Sequence, residues 1–196
     1  MPGGFDLGQL KMYLESIFNT AGLVLPSSSA PARPLGSFWN ARPGPDMRLT
    51  TFTDYTLRVL IYLGAHQRES RLATIGDIAT AYGVSENHLM KIVHHLAQQG
   101  YVETTRGKGG GMRLAREPDQ IHVGDVVRGA EEDLAIVECF QDGNVACPIA
   151  PACALQEVLG RAVGAFFEVL DSTTLADLLK PRAQLVRIFR DTGARR

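Results

Sequence analysis

With 45% hydrophobic and 21% charged residues in 196 positions, the composition is that of a globular protein; it excludes a fully disordered chain and allows one good core or two small ones. Three cysteines cannot close a disulfide set, so a secreted disulfide scaffold is excluded and a reducing cytoplasm is the expected compartment. No apolar run reaches the ~20 residues of a membrane span, and the formal net charge of −1 hides an uneven distribution.

Residues 1–46 carry 3 Lys/Arg against 3 Asp/Glu, residues 47–122 carry 9 against 7, residues 123–180 carry 3 against 10, and residues 181–196 carry 5 against 1. An acidic middle between mildly basic segments fits an anion-binding part joined to a part that binds no anion, although solvated faces produce the same split.

Residues 1–46 begin with a short amphipathic stretch (Leu10, Tyr13, Leu14, Ile17, Phe18) and continue as PSSSAPARPLGSFWNARPGPD, a linker composition unable to bury enough to fold. The segment from Leu23 to Ala32 resembles a cleavage region only faintly, because Glu15, Ser16, Asn19 and Thr20 interrupt what precedes it, and no targeting signal is read. A disordered or misassigned extension is expected, with the functional start at Met47 and a regulatory arm as the competing reading.

From Met47 the pattern becomes strict. A first helix is predicted from about Thr53 to Ala65, with Leu57, Leu60, Ile61 and Gly64 on one side and Thr51 or Thr53 as cap. A short second helix starts at Thr74 with Asp77 in its first turn and ends at Gly83. Ser85 caps a third, in which Leu89, Ile92, Val93 and Leu96 recur at helical spacing while Asn87, His88, Lys91, His94 and His95 fall largely on other faces, and Gly100 stops it. Two helices joined by a tight glycine-containing turn, the second with a polar outer face, form the helix-turn-helix pattern.

Tyr101, Val102, Thr104 and Thr105 then read as a strand and Met112 to Leu114 as its return, with Gly107 to Gly111 as the tip. A two-stranded hairpin with a basic tip after a helix-turn-helix is a wing. The tip GKGGGM lacks the Lys-Ser/Thr ending of a nucleotide-binding P-loop and runs into a strand, so that reading is set aside. Ser85, Asn87, His88 and Lys91 are the side chains placed near bases or phosphates of the major groove. Arg106 and Lys108 suit a narrow minor groove or its phosphates. A solvated surface charge is the plain alternative for each.

After a short helix from Val123 to Ala130, ECFQDGNVACPIAPAC holds every cysteine of the chain. Buried small hydrophobes are the usual fate of free cysteine, but Asp142, Gly143, Asn144, Pro148 and Pro151 are surface chemistry. Zinc favours close pairs, whereas these intervals contain seven and five residues. A thiol redox switch needs only two cysteines, and an iron-sulfur cluster accepts wide, irregular spacing; both readings stay open. Next, Leu155, Val158, Leu159, Ala162, Val163, Phe166, Phe167 and Leu170 mark one stripe of a helix about five turns long. Such a stripe is either covered by its own chain or pairs with a second copy, and the second is preferred. Ser172 and Thr173 are expected to cap a last short helix, LADLLK. His66, His94, His95 and His122 are read as surface or packing residues, and no Ser/His/Asp or paired-carboxylate arrangement suggests an enzyme.

From Met47 to about Lys180 the chain resembles the iron-sulfur winged-helix repressors, the family that includes the nitric-oxide sensor NsrR and the cluster-assembly regulator IscR. The likeness lies in MRLTTFTDYTLRVL, VSENHLMKIVHHLAQQGYVETTRGKGGGMRLA, the three cysteines of the following loop, and FFEVLDSTTLADLL. It implies a homodimer on a palindromic operator in double-stranded DNA, with one cluster per subunit held by Cys139, Cys147, Cys153 and a non-cysteine ligand. In the cluster-assembly branch a histidine follows the third cysteine by three residues, where Gln156 stands here. The NsrR-like branch instead implies an aspartate early in the first helix, reaching in from the partner subunit, and Asp54 occupies that place. Helix N-terminal charge, or a pair with Arg58, is its alternative role. The first cysteine interval is longer than in some relatives; the two-iron form is favoured over the four-iron form.

The expected fold is therefore mainly α with a small β-hairpin wing. It comprises a winged helix-turn-helix DNA-binding domain over residues 47–130, a cysteine cluster-binding loop over 131–153, a dimerisation helix and short C-terminal helix over 154–180, and a basic tail over 181–196. The function implied is transcriptional repression relieved by nitric oxide, with sensing of iron or cluster supply, or of thiol redox state, as alternatives in the same fold. A metal-free protein-interaction module is the alternative of another class.

Overall fold

The computed structural model describes residues 48–140 and 147–193, so the readings of residues 1–46 and of Asp142, Gly143 and Asn144 lie outside the described residues. Helix α1 (Thr51–His66) is capped by Thr50, whose hydroxyl accepts the Thr53 N–H. Of the two expected caps, Thr51 is the first residue of the helix and Thr53 is fully buried beside the Thr50 hydroxyl at 3.0 Å. Thr56, equally buried, donates to the Phe52 carbonyl at 2.7 Å. Both polar groups are thereby satisfied inside a core of Val59, Leu60 and Leu63.

Helix α2 (Ile75–Tyr82) begins with a full capping box between Thr74 and Asp77 and ends at Gly83, whose φ of 68° is left-handed. That reversal delivers the chain to Ser85, which accepts the His88 N–H and caps α3 (Glu86–Gln98). Leu89, Ile92, Val93 and Leu96 point into the core, so the polar residues of α3 face outward by periodicity.

Strands β1 (Val102–Thr105) and β2 (Gly111–Leu114) pair antiparallel, Val102 opposite Leu114 and Thr105 opposite Gly111. The predicted tip is one residue shorter because Gly111 belongs to β2. A side chain at Gly111 would meet the Ala73 carbonyl oxygen at 2.6 Å, and this close approach lets Ala73 and Met112 exchange backbone hydrogen bonds of 3.2 and 2.7 Å. The wing is thus pinned through the start of its return strand to the segment before α2.

Helix α4 (Val123–Ala130) buries Val126 and Val127 against α1. Helix α5 (Ala154–Asp171) spans 18 residues without a single buried side chain, and Leu155, Val158 and Val169 each expose more than half their surface. Helix α6 (Leu175–Leu178) is capped by Thr174, not by Ser172 or Thr173, in a second capping box with Asp177. The hydroxyls of Ser172 and Thr173 donate back to Val169 O instead.

Beyond the expected basic tail's start at residue 181 the chain forms α7 (Arg182–Gly193). Phe189 is buried there, its ring 5.0 Å from Tyr62 and 5.4 Å from Tyr82, and Arg182 Nε donates to the Ala65 carbonyl at 2.7 Å. The helix packs on α1 and α2 and so completes the core of the helix-turn-helix. The architecture is mainly α with one two-stranded wing, as expected from the sequence.

Candidate nucleic-acid interface and cysteine segment

Helix α3 exposes Asn87 and Lys91, and the turn between the strands exposes Arg106 and Lys108. None of the three cations has an ion-pair partner among the described residues, so their charge is available to an external anion. Ser85 is exposed but its oxygen is engaged as the α3 cap. His88 differs from the rest. Its ring lies edge-on to Tyr55 at 5.4 Å, and Nε2 is buried with no hydrogen-bond partner among the described residues. The ring therefore couples α3 to α1 rather than standing out from the helix.

Two arginines that the sequence reading did not single out shape this face. Arg113 forms a pair with Glu103 at 2.8 Å directly across the wing ladder. Arg116 donates to the carbonyls of Gly100 and Gln99 at 3.0 and 2.9 Å and lies 4.7 Å over the Tyr101 ring. It thereby satisfies the free carbonyl end of α3. The cross-strand pair follows from hairpin register once the tip length is known; Arg116, sixteen residues from its partner Gly100, gave no local signal.

Asp54 sits in the first turn of α1 and is gripped by Arg58 through two contacts of 2.9 Å. The carboxylate raises the guanidinium above its ordinary value. Arg58 also lies over the rings of Tyr55 and Tyr82, and Tyr82 donates to the Arg58 carbonyl. Within one chain, Asp54 thus has the role of helix-terminal charge and i,i+4 partner. Both side chains stay nearly half exposed, which leaves the carboxylate accessible from outside.

The three cysteines are free, Cys139 and Cys153 half-buried and Cys147 exposed. Cys139 lies in a short turn, Glu138–Phe140, and Cys153 ends another, Ala150–Ala152, just before α5. As soft donors they suit iron. Among the described residues, however, no three His, Cys, Asp or Glu side chains converge on a common point. The donor chemistry fits an iron-sulfur group; the described residues of one chain do not close a site.

A helix-turn-helix with a wing bridged to it at Met112 and unpaired cations on its outer face defines a winged-helix DNA-binding protein. The family described as "Rrf2: Iron-dependent Transcriptional regulator" matches residues 49–181. The chain is 48% identical over 144 residues to the HTH-type transcriptional regulator NsrR of Bacillus subtilis (strain 168), covering 74% of this chain and 98% of the relative. NsrR of Geobacillus kaustophilus (strain HTA426) is 48% identical over 145 residues, again 74% of this chain and 98% of the relative. Among solved structures, IscR of T. potens is similar at a TM-score of 0.56 and 31% identity, over 69% of this chain and 88% of that one. CymR (YrzC), the global cysteine regulator of B. subtilis, matches at 0.56 and 34%, over 68% and 96%. The chain belongs to the Rrf2 family of transcriptional regulators.

Proposed function

We propose that the chain is a cytoplasmic, homodimeric repressor that senses nitric oxide through an iron-sulfur cluster and releases palindromic operators when nitric oxide attacks it. One observation carries this reading: all three cysteines are unpaired on the segment joining the DNA-binding half to α5, in a chain 48% identical to NsrR. Cys139, Cys147 and Cys153 hold the iron as thiolates, and Asp54 of the partner subunit is the fourth ligand. When bound, the cluster supplies iron carrying one hard, exchangeable ligand at which nitric oxide reacts.

Reaching a partner's loop requires Asp54 to leave or share Arg58. An exposed i,i+4 pair is worth about 0.3–0.5 kcal/mol, a small obstacle beside a metal bond. A carboxylate arriving from α1 ties the DNA-binding domain of one subunit to the cysteine segment of the other. A coupling of ~1–3 kcal/mol through that tie changes operator affinity ~5 to 150-fold. Helix α5 supports the second copy through exposed Leu155, Val158, Phe166 and Val169. On DNA, Asn87 and Lys91 enter the major groove while Arg106 and Lys108 meet the minor groove or its phosphates.

The test is anaerobic purification, an absorption spectrum with iron and acid-labile sulfide counts, and the same spectrum after stoichiometric nitric oxide. Charge-transfer bands that collapse on addition are expected, and the iron-to-sulfide count separates the two-iron from the four-iron form. A protein that stays colourless after reconstitution overturns the cluster and leaves the thiol switch. Operator binding insensitive to salt would point to the interaction module.

A further inference from the structure

Glu131 stands where the cysteine segment leaves the DNA-binding half. It follows α4 directly, and its Oε1 accepts the backbone N–H of Thr50 at 2.7 Å, across 81 residues of sequence. Thr50 is the cap of α1, in whose first turn Asp54 lies. The first N–H groups of a helix have no partner within it, and a carboxylate is favoured at that positive end. Glu131 thus adds a contact from outside the helix to the cap that Thr50 itself provides.

Helix α4 is held to the end of α5 and the residues after it, through Arg128 in its last turn and through His122 and Val123 at its start. Arg128 forks onto Asp171 at 2.6 and 2.7 Å. The Val123 N–H donates to Thr173 O at 2.9 Å, and His122 pairs with Thr174 in an isolated bridge. With α4 held at both ends, Glu131 is the point at which the start of the cysteine segment meets the start of α1.

We infer that Glu131 is a positioning residue that passes the state of the cysteine segment to α1 of its own subunit. From there the signal reaches α3 through the Tyr55–His88 and Phe52–His95 ring contacts, 5.4 and 5.3 Å between centroids. Glu131 acts through the Thr50 amide and takes no part in holding iron. The inference rests on the proposal that the cysteines hold the sensing group.

The test compares full-length wild type, E131A and E131Q, each iron-loaded and iron-free, by amide hydrogen exchange over residues 50–56 and by operator affinity. The amide of E131Q keeps an acceptor oxygen. Expected for E131A is exchange about tenfold faster at the start of α1, and a loaded-to-free affinity ratio that falls from ~5 to 150-fold toward unity. Its cluster spectrum stays unchanged, and E131Q restores both readouts. An E131A protein that keeps the wild-type exchange and affinity ratio overturns the inference. If wild type takes up no iron, the cluster reading fails by itself. The tether is then judged without iron: faster exchange and weaker operator binding in E131A sustain it, and identity with wild type overturns it.

Discussion

Asp54 has one role in the structure, the pair with Arg58, and a second in the proposed function, the ligand. Local spacing offers the helix-terminal charge and the i,i+4 pair, and the family resemblance alone implies a reach across a dimer; the geometry of one chain displays the fork with Arg58. The Asp54→Ala variant is expected to shift unfolding free energy by no more than about 0.5 kcal/mol, since exposed pairs contribute little. It is also expected to lose iron faster and to respond differently to nitric oxide. Unchanged iron retention and response, followed by absorbance, would remove Asp54 from the ligand set. Lys91 and Arg106 give the second prediction: alanine at either lowers the slope of log affinity against log salt by about 1, measured in operator titrations over a salt series. The caps at Thr74 and Ser85 were legible because their partners lie three residues away. Arg128 and Asp171, 43 residues apart, were not, because nothing local distinguishes their charges from solvated ones.

Among the elements, the helix-turn-helix, wing and α5 were readable because each repeats a period long enough to outweigh its exceptions. Helix α7 was not. Its three cations, among five within residues 181–196, obscure Leu185, Val186 and Phe189, and the packing of Phe189 on Tyr62 and Tyr82 gives that short stripe a purpose. Phe189→Ala should cost about 3–5 kcal/mol, read as a lower urea midpoint at constant slope. Helix α6 carries a pH dependence. The Thr174 backbone N–H, then its hydroxyl, then Lys180 hold the Asp177 carboxyl down at about 2, against 3.8 ordinarily. Because the folded value is the lower one, the unfolded chain binds more protons in this window and stability rises with pH. The contribution is complete above about pH 4 and lost as the pH falls toward 2. Melting temperatures of wild type and Asp177→Asn should therefore converge in acid, and a constant gap from pH 5 to pH 2 would contradict the capping-box origin.

On the scale of the molecule, α5 is the unfinished part: of the apolar stripe predicted from spacing, Leu159, Val163, Phe167 and Leu170 are half-buried among the described residues, while Leu155, Val158 and Phe166 stay exposed. Val158, 57% exposed, can accept a charge without disturbing the single-chain fold. Val158→Glu is expected to give a folded monomer with operator affinity greatly reduced, by light scattering and titration; a dimer that survives would place the contact elsewhere. Helix α7 has a different consequence, in time rather than space. The winged core from α1 to β2 joins segments close in sequence, whereas the Arg182–Ala65 bond closes a separation of 117 residues. Non-local closure is the slow kind of step. The chain should then assemble its helix-turn-helix early and secure it late, so that disruption of α7 accelerates unfolding while leaving the initial folding rate nearly untouched.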